Sequence, residues 1–298
     1  IGQPSLRMVG YDPSQASKLL VPVRSPSIQR FELRQLPLLS GAAVVLDSQT
    51  GQIKAMSGGF STRISDFNRA TQARRQPGST IKPFIALSAL ENGYRPKTRI
   101  DDGPITLHMP AGEVWEPKNF DGRDWGPMSL TKALVYSRNL PMVRLHQSLG
   151  SKTISKTLID LGLYKDRQLN PSVVLGANET SLLQLASAYA ALANGGKYIQ
   201  PTALRSVHDQ DGMLLFTSDA LSSDDCLATV FCQSTEMSQA VSERSADEVK
   251  GMLRSVMDYG TGKRTQQNIS KKVYGKTGTT NGAKDTWFIG FDDRYVVG

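Results

Sequence analysis

Histidine and cysteine are nearly missing: the 298 residues hold three His and two Cys. Cys226 and Cys232 cannot alone supply the four ligands of a structural zinc site, and they leave a disulfide and free thiols both open. With only His108, His146 and His208 available, a Ser-His-Asp hydrolase is disfavoured, and Pro77-Gly78-Ser79-Thr80-Ile81 lacks the Gly-x-Ser-x-Gly elbow such enzymes use. No apolar run approaches the roughly 18 to 20 residues that cross a bilayer. The stretch from Leu36 to Leu46 is eleven residues long and already contains Pro37. Nor is there a run of five or six like charges that would mark a nucleic-acid arm, or an internal repeat. Gly195-Gly196-Lys197-Tyr198 lacks the preceding spacing and the following Ser/Thr of a P-loop, which disfavours a nucleotide-binding enzyme.

What remains is an ordinary globular mixture, with 39% AVILMFWYC and 21% DEKR, long enough for roughly two domains. The formal charge of +8 suits a nucleic acid, an anionic envelope surface or carboxylate-bearing substrates, and charge alone does not choose among them. The basic residues are scattered, with short clusters at Arg74-Arg75, Lys263-Arg264 and Lys271-Lys272, as on a solvated basic surface. A soluble chain without a nucleic-acid partner is expected. It opens on Ile1 with no charged-then-apolar leader, so any targeting segment or anchor is expected outside it.

Residues 1–40 carry Pro13, Pro22 and Pro26 and several serines, and read as a linker or the remnant of a small β module. A domain is expected over 41–298. It begins with two apolar runs, Gly41 to Asp47 and Gln52 to Met56, separated by Ser48-Gln49-Thr50-Gly51, which predicts a β-hairpin. A helix is predicted from Ser79 to Leu90, stopped by Asn92-Gly93. Pro83 falls in its first turn, and apolar residues around most of its circumference mark it as buried. Further helices fit Ser129 to Ser137, Val143 to Leu149, Ile154 to Leu161, Ser181 to Ala193 and Ala246 to Met257. Strands fit Val273 to Gly278, Thr286 to Phe291 and Tyr295 to Val297. Strands at both ends with helices between predict one α+β domain whose sheet joins the two ends.

Ser79 and Lys82 are three residues apart at the start of that helix, so they share a face and the amine can reach the hydroxyl. The arrangement suits a serine nucleophile whose proton goes to a neutral lysine. Bringing a free lysine's pKa of about 10.4 near neutrality takes about 4 kcal/mol, which burial and a neighbouring cation supply. Backbone N–H groups at the helix start can hold an oxyanion. Ser129-Leu130-Thr131-Lys132 has the same spacing, and by itself either pair also fits a capping serine with a surface lysine. Ser79 differs in its Gln76-Pro77-Gly78 lead-in and in opening a buried helix. Ser137-Arg138-Asn139 lies at a helix end before Leu140-Pro141, where hydroxyl and amide can project from a loop. Lys276-Thr277-Gly278-Thr279-Thr280 lies on a strand, where a lysine also serves to guard an edge. The ordered set Ser-x-x-Lys, Ser-x-Asn, Lys-Thr-Gly, with spacings of 58 and 139 residues, joins them into one site.

With these motifs, the chain from about Leu36 to Gly298 resembles the transpeptidase domain of class A penicillin-binding proteins, most closely those of the 1A type. The likeness extends to Phe67 through Ala73, Arg75 through Ser79, Trp115 through Phe120, Leu175 through Thr180, Ala193 through Gly196, Arg254 through Gly262, and Asp285 through Gly290. The resemblance implies a five-stranded antiparallel sheet sandwiched by helices, with the active site between the sheet edge and an all-helical lobe. It implies a peptidoglycan D,D-transpeptidase working through an acyl-serine, inhibited covalently by β-lactams, at the periplasmic face of the inner membrane. Ser79 is then the nucleophile, Lys82 its base, and Ser137 a proton relay to the leaving amine. Lys276 is a cation beside both, and Asn139, Thr277, Gly278 and Thr279 bind substrate. The N–H groups of Ser79 and Thr279 form the oxyanion hole. Stem peptides ending in D-Ala-D-Ala and β-lactams are the implied partners, and no cofactor or metal is needed.

The family's chains normally continue past Gly298 and begin with a membrane anchor and a glycosyltransferase domain, so a fragment or processed chain is expected. A D,D-carboxypeptidase or a serine β-lactamase shares the three motifs, and a non-catalytic β-lactam sensor would be acylated without turnover. Glu179 is the nearest candidate for the water-activating glutamate of a class A β-lactamase. Standing at an expected helix start, it is read instead as a favourable charge at the helix N-terminus.

Overall fold

The computed structural model describes residues 20–23, 30–33, 39–63, 65–108, 112–165, 169–217, 231–232, 238–280, 282 and 284–298. The chain divides into two units after Gly41. In the first, β1 (Leu20–Val23) and β2 (Arg30–Leu33) pair antiparallel, Leu20 opposite Leu33. The question of pairing between Cys226 and Cys232 lies outside the described residues.

The second unit opens on the expected hairpin, β3 (Ala43–Asp47) and β4 (Ile53–Ser57). Asp47 shapes its turn by accepting from the N–H groups of Gln49 and Thr50 at 3.0 and 3.2 Å. The three C-terminal strands are β5 (Tyr274–Thr279), β6 (Thr286–Phe291) and β7 (Tyr295–Val297). β7 pairs with β3, Val296 opposite Leu46, so one antiparallel sheet of order β5-β6-β7-β3-β4 joins both ends of the unit. β5 is therefore an edge strand.

Among the described residues, five α-helices of six residues or more belong to the unit. They are α1 (Lys82–Glu91), α2 (Leu130–Val135), α3 (Leu140–Asp160), α4 (Leu182–Ala193) and α5 (Glu243–Tyr259). In α1 every residue except Glu91 is buried, as an apolar circumference requires. α3 carries non-helical angles at Gly150, φ 80° and ψ 155°, which divides it close to the two helices predicted. α4 starts at a capping box, where Ser181 Oγ accepts from Gln184 N at 3.2 Å and Gln184 Oε1 accepts from Ser181 N at 3.3 Å. α4 packs on β3, β6 and β7, α5 packs on β5, and α1 is enclosed by α2, α3 and α5. Tyr189 of α4 links the layers: its ring meets Phe84 of α1 edge-on at 5.1 Å and Phe291 of β6 at 6.4 Å. Among the described residues no helix is long and apolar enough to cross a membrane.

Candidate active site

Ser79 sits in a 3-10 turn, Gly78–Ile81, immediately before α1 rather than in its first α-helical turn. Gly78 has φ +53°, and a Cβ there would lie 2.7 Å from Thr279 O, so the Pro-Gly lead-in lets the turn press against β5. Gly278 is needed for the reciprocal approach: a Cβ on it would lie 2.5 Å from Pro77 O. The turn is tied from behind, where Thr80 Oγ1 donates to Pro77 O and the Tyr189 hydroxyl donates to Thr80 O, both at 2.7 Å. Ser79 is thereby held at the lip of a cavity of about 360 Å³. Trp115, Phe120 and Tyr136 supply its aromatic wall, and Thr261, Thr277 and Thr279 its hydroxyls.

Lys82, one helical turn on, is fully buried. Its Nζ donates to Ser137 O and Asn139 Oδ1, each at 2.6 Å, and lies 3.4 Å from Ser137 Oγ. Burial, then the nearby Lys276 and Arg138 cations, hold its pKa well below the ordinary lysine value, against an opposing pull from Asp102. Among the described residues, Ser79 Oγ makes no hydrogen bond of its own, so the hydroxyl is free to face an incoming ligand.

Ser137 and Asn139 come from the turn between α2 and α3. Ser137 has φ +57°, the left-handed region that side chains other than glycine rarely occupy, at a typical cost of about 1–3 kcal/mol. The twist directs its hydroxyl at Lys276, whose Nζ donates to Ser137 Oγ and to Thr277 O, both at 3.0 Å. Lys276 is on an edge strand yet fully buried, which sets aside an edge-guarding role, and burial brings its pKa down to about 7. Asn139 donates from its side chain to Lys118 O, and its backbone N–H is accepted by Asn119 Oδ1, both at 2.8 Å.

Three segments distant in the chain thus bring Ser79, Ser137, Asn139, Thr277 and Thr279 to one cavity, with Lys82 and Lys276 buried behind Ser137. Gly278 is buried behind the wall, where its lack of a side chain lets the backbones close. Ser129, the alternative serine, caps α2 by accepting from Lys132 N at 3.2 Å, and Lys132 is exposed. Glu179 is exposed and precedes the Ser181 cap, outside the first turn of α4. Its charge adds to that of Asp285 in raising the Arg75 pKa. Among the described residues, no Asp, Glu or His lines the cavity, and no three His, Cys, Asp or Glu cluster to hold a metal.

Sequence reasoning assigned no role to Thr261, Asp102 or Asn119. Thr261 Oγ1 accepts from Thr277 Oγ1 at 3.0 Å, within a Gly-Thr-Gly segment whose composition is that of a turn. Asp102 and Asn119 hold the Ser137 loop from beneath. The ends of two recognised motifs also meet: Arg75 donates from Nε and Nη2 to the two carboxylate oxygens of Asp285, at 2.8 and 3.0 Å. This pair fastens the segment before Ser79 to the β5–β6 turn.

Comparison with known proteins places this geometry. The family model for the penicillin binding protein transpeptidase domain matches residues 41–297. A penicillin-binding protein 1A of Rickettsia typhi is 37% identical over 277 residues, covering 90% of this chain and 35% of that protein. One from Neisseria lactamica is 37% identical over 272 residues, covering 90% of this chain and 33% of that protein. The crystal structure of penicillin-binding protein 1A from Haemophilus influenzae superposes with a TM-score of 0.78 at 32% identity, over 90% of this chain and 43% of that one. PonA1 from Mycobacterium tuberculosis, in complex with penicillin V, shares the fold with a TM-score of 0.70 at 24% identity, over 86% of this chain and 67% of that one. The chain spans about a third of the length of the curated relatives it matches.

Proposed function

Because the chain belongs to the penicillin-binding protein transpeptidase family, we propose that it cross-links peptidoglycan stem peptides by serine-based D,D-transpeptidation, outside the inner membrane. The observation that carries this reading is the meeting of two fully buried lysines, Lys82 and Lys276, at the hydroxyl of Ser137 beside Ser79.

A neutral lysine amine has two N–H bonds and one lone pair. With both N–H groups of Lys82 given to Ser137 O and Asn139 Oδ1, the lone pair is left to take the proton of Ser79. Ser79 Oγ then attacks the carbonyl carbon of the D-Ala-D-Ala bond. The oxyanion is held by the N–H groups of Ser79 and Thr279, where one donor is typically worth about 2.7–4 kcal/mol. As the tetrahedral centre collapses, the C–N bond breaks. The proton passes from Lys82 through Ser137 to the leaving amine, and the terminal D-Ala departs. In the second half, the amine of another stem peptide gives its proton back along the same relay and displaces Ser79, forming the cross-link. Thr277 and Thr279 bind the terminal carboxylate with Lys276 behind them, and Asn139 bonds the peptide backbone. A β-lactam enters as the donor does and stops at the acyl-serine.

Among the described residues no carboxylate or histidine lines the cavity, which counts against the β-lactamase alternative, since that enzyme must activate a water against that ester. Peptide mapping by mass spectrometry after penicillin treatment tests the assignment. The adduct is expected on Ser79; a label within residues 129–132 and none on Ser79 would overturn it.

A further inference from the structure

Between the two loop residues that line the cavity lies one that does not. Arg138 is 4% exposed, and its guanidinium has a partner on each edge. Nε donates to Asp102 Oδ2 at 2.8 Å, Nη1 to Asp121 Oδ2 at 2.9 Å, and Nη2 to Arg123 O, while the Trp125 ring covers its face at 4.4 Å. Asp102 is fully buried and accepts also from Trp125 N at 3.1 Å and from Asn119 Nδ2 at 2.9 Å. Asn119 in turn accepts from the backbone N–H of Asn139. A planar five-donor fork is needed to meet these acceptors at once, which an ammonium cannot do. The adjoining Ser137 is held at φ +57°, a conformation that persists only when its surroundings over-determine it.

We propose that the buried Arg138–Asp102 pair is a positioning device, which pins the turn carrying Ser137 and Asn139 against Lys82 and balances the charge that Lys82 faces. This inference rests on the reading of Ser79 as nucleophile and Lys82 as base. The charged groups acting on Lys82 are Lys276 from β5, Arg138 and Asp102. On α3, Arg144 pairs with Asp101, Lys156 pairs with Asp160, and His146 bonds Ser151 Oγ at 2.9 Å. Arg138 lowers the Lys82 pKa and Asp102 raises it. Loss of either partner therefore moves the neutral fraction of Lys82 in opposite directions, which simple loosening of the loop would not do.

The test is the pH profile of acylation of the whole chain by a fluorescent penicillin, with the limiting rate constant. Wild-type labelling at Ser79 that depends on Lys82 is the control, and its failure would sink the proposed function and this inference with it. Given the control, Arg138→Lys is expected to keep the acid limb in place and to lower the limiting rate about 100-fold, the scale of a 1 Å misplacement. Asp102→Asn is expected to move the limb to lower pH and Arg138→Met to higher pH. A wild-type limiting rate in Arg138→Lys, or limbs that stay fixed or move together in the other two, would overturn the inference alone. Should Arg138→Met fail to fold, Arg138→Lys and Asp102→Asn decide between the same outcomes.

Discussion

As the proposed base, Lys82 meets two opposed demands: it must be neutral to accept a proton, and it must be held still by groups that favour its charged form. Burial and the Lys276 cation win over the bonds to Ser137 and Asn139. A serine without a base is a poor nucleophile, so Lys82→Ala should slow penicillin acylation by about 10²- to 10⁴-fold, measured by stopped-flow labelling. Lys276 is itself depressed to about 7, and its effect on Lys82 is electrostatic. Without it the Lys82 pKa rises, less of the amine is neutral at pH 7, and the acid limb of acylation should shift to higher pH in Lys276→Ala. The same variant should lose more activity toward substrates with a free terminal carboxylate than toward carboxylate-blocked analogues. An equal loss on both would confine Lys276 to its effect on Lys82.

At the scale of elements, two matches to Ser-x-x-Lys have different fates because their helices begin differently. Ser129 is extended, with φ −69° and ψ 153°, and its oxygen is used on Lys132 N. Ser79 lies inside a 3-10 turn whose orphan groups are satisfied by Tyr189, Thr80 and the Gly78–Gly176 contact, which leaves its hydroxyl unspent. Ser129→Ala should therefore cost about 1 kcal/mol of stability, typical of a lost cap, while penicillin labelling at Ser79 proceeds at the wild-type rate. Chemical denaturation and gel fluorescence read the two effects separately.

On the scale of the whole molecule, the cavity is polar through hydroxyls and amides, and its charges are two lysines sealed in the wall behind Ser137. Among the described residues, no acidic or histidine side chain lines the cavity to activate water against an acyl-serine formed there. Labelled penicillin should accordingly remain attached through a denaturing gel, with negligible β-lactam hydrolysis by the purified chain. Rapid turnover of penicillin would instead make Glu179, exposed beside Arg75, the residue to examine.

Local chemistry along the chain was enough to locate the main elements, but not the 3-10 turn that carries Ser79. The hairpin at β3–β4, the buried α1, the helix from Ser181 and the three final strands follow from apolar period, turn residues and proline position, all effects of near neighbours. The three motifs also marked Ser79, Ser137 and Lys276 as one site, since their residue types fit a single proton-transfer chemistry. Only the tertiary structure decided that Lys276, on an edge strand, is buried, and that Gly278 is a packing residue behind the wall. It also decided that Asp102 and Asn119 hold the loop between α2 and α3. Burial and the meeting of Arg138 with Asp102, 36 residues away, are sums over segments distant in sequence. No local pattern of Asp-Asp-Gly distinguishes a turn in water from the anchor beneath an active site.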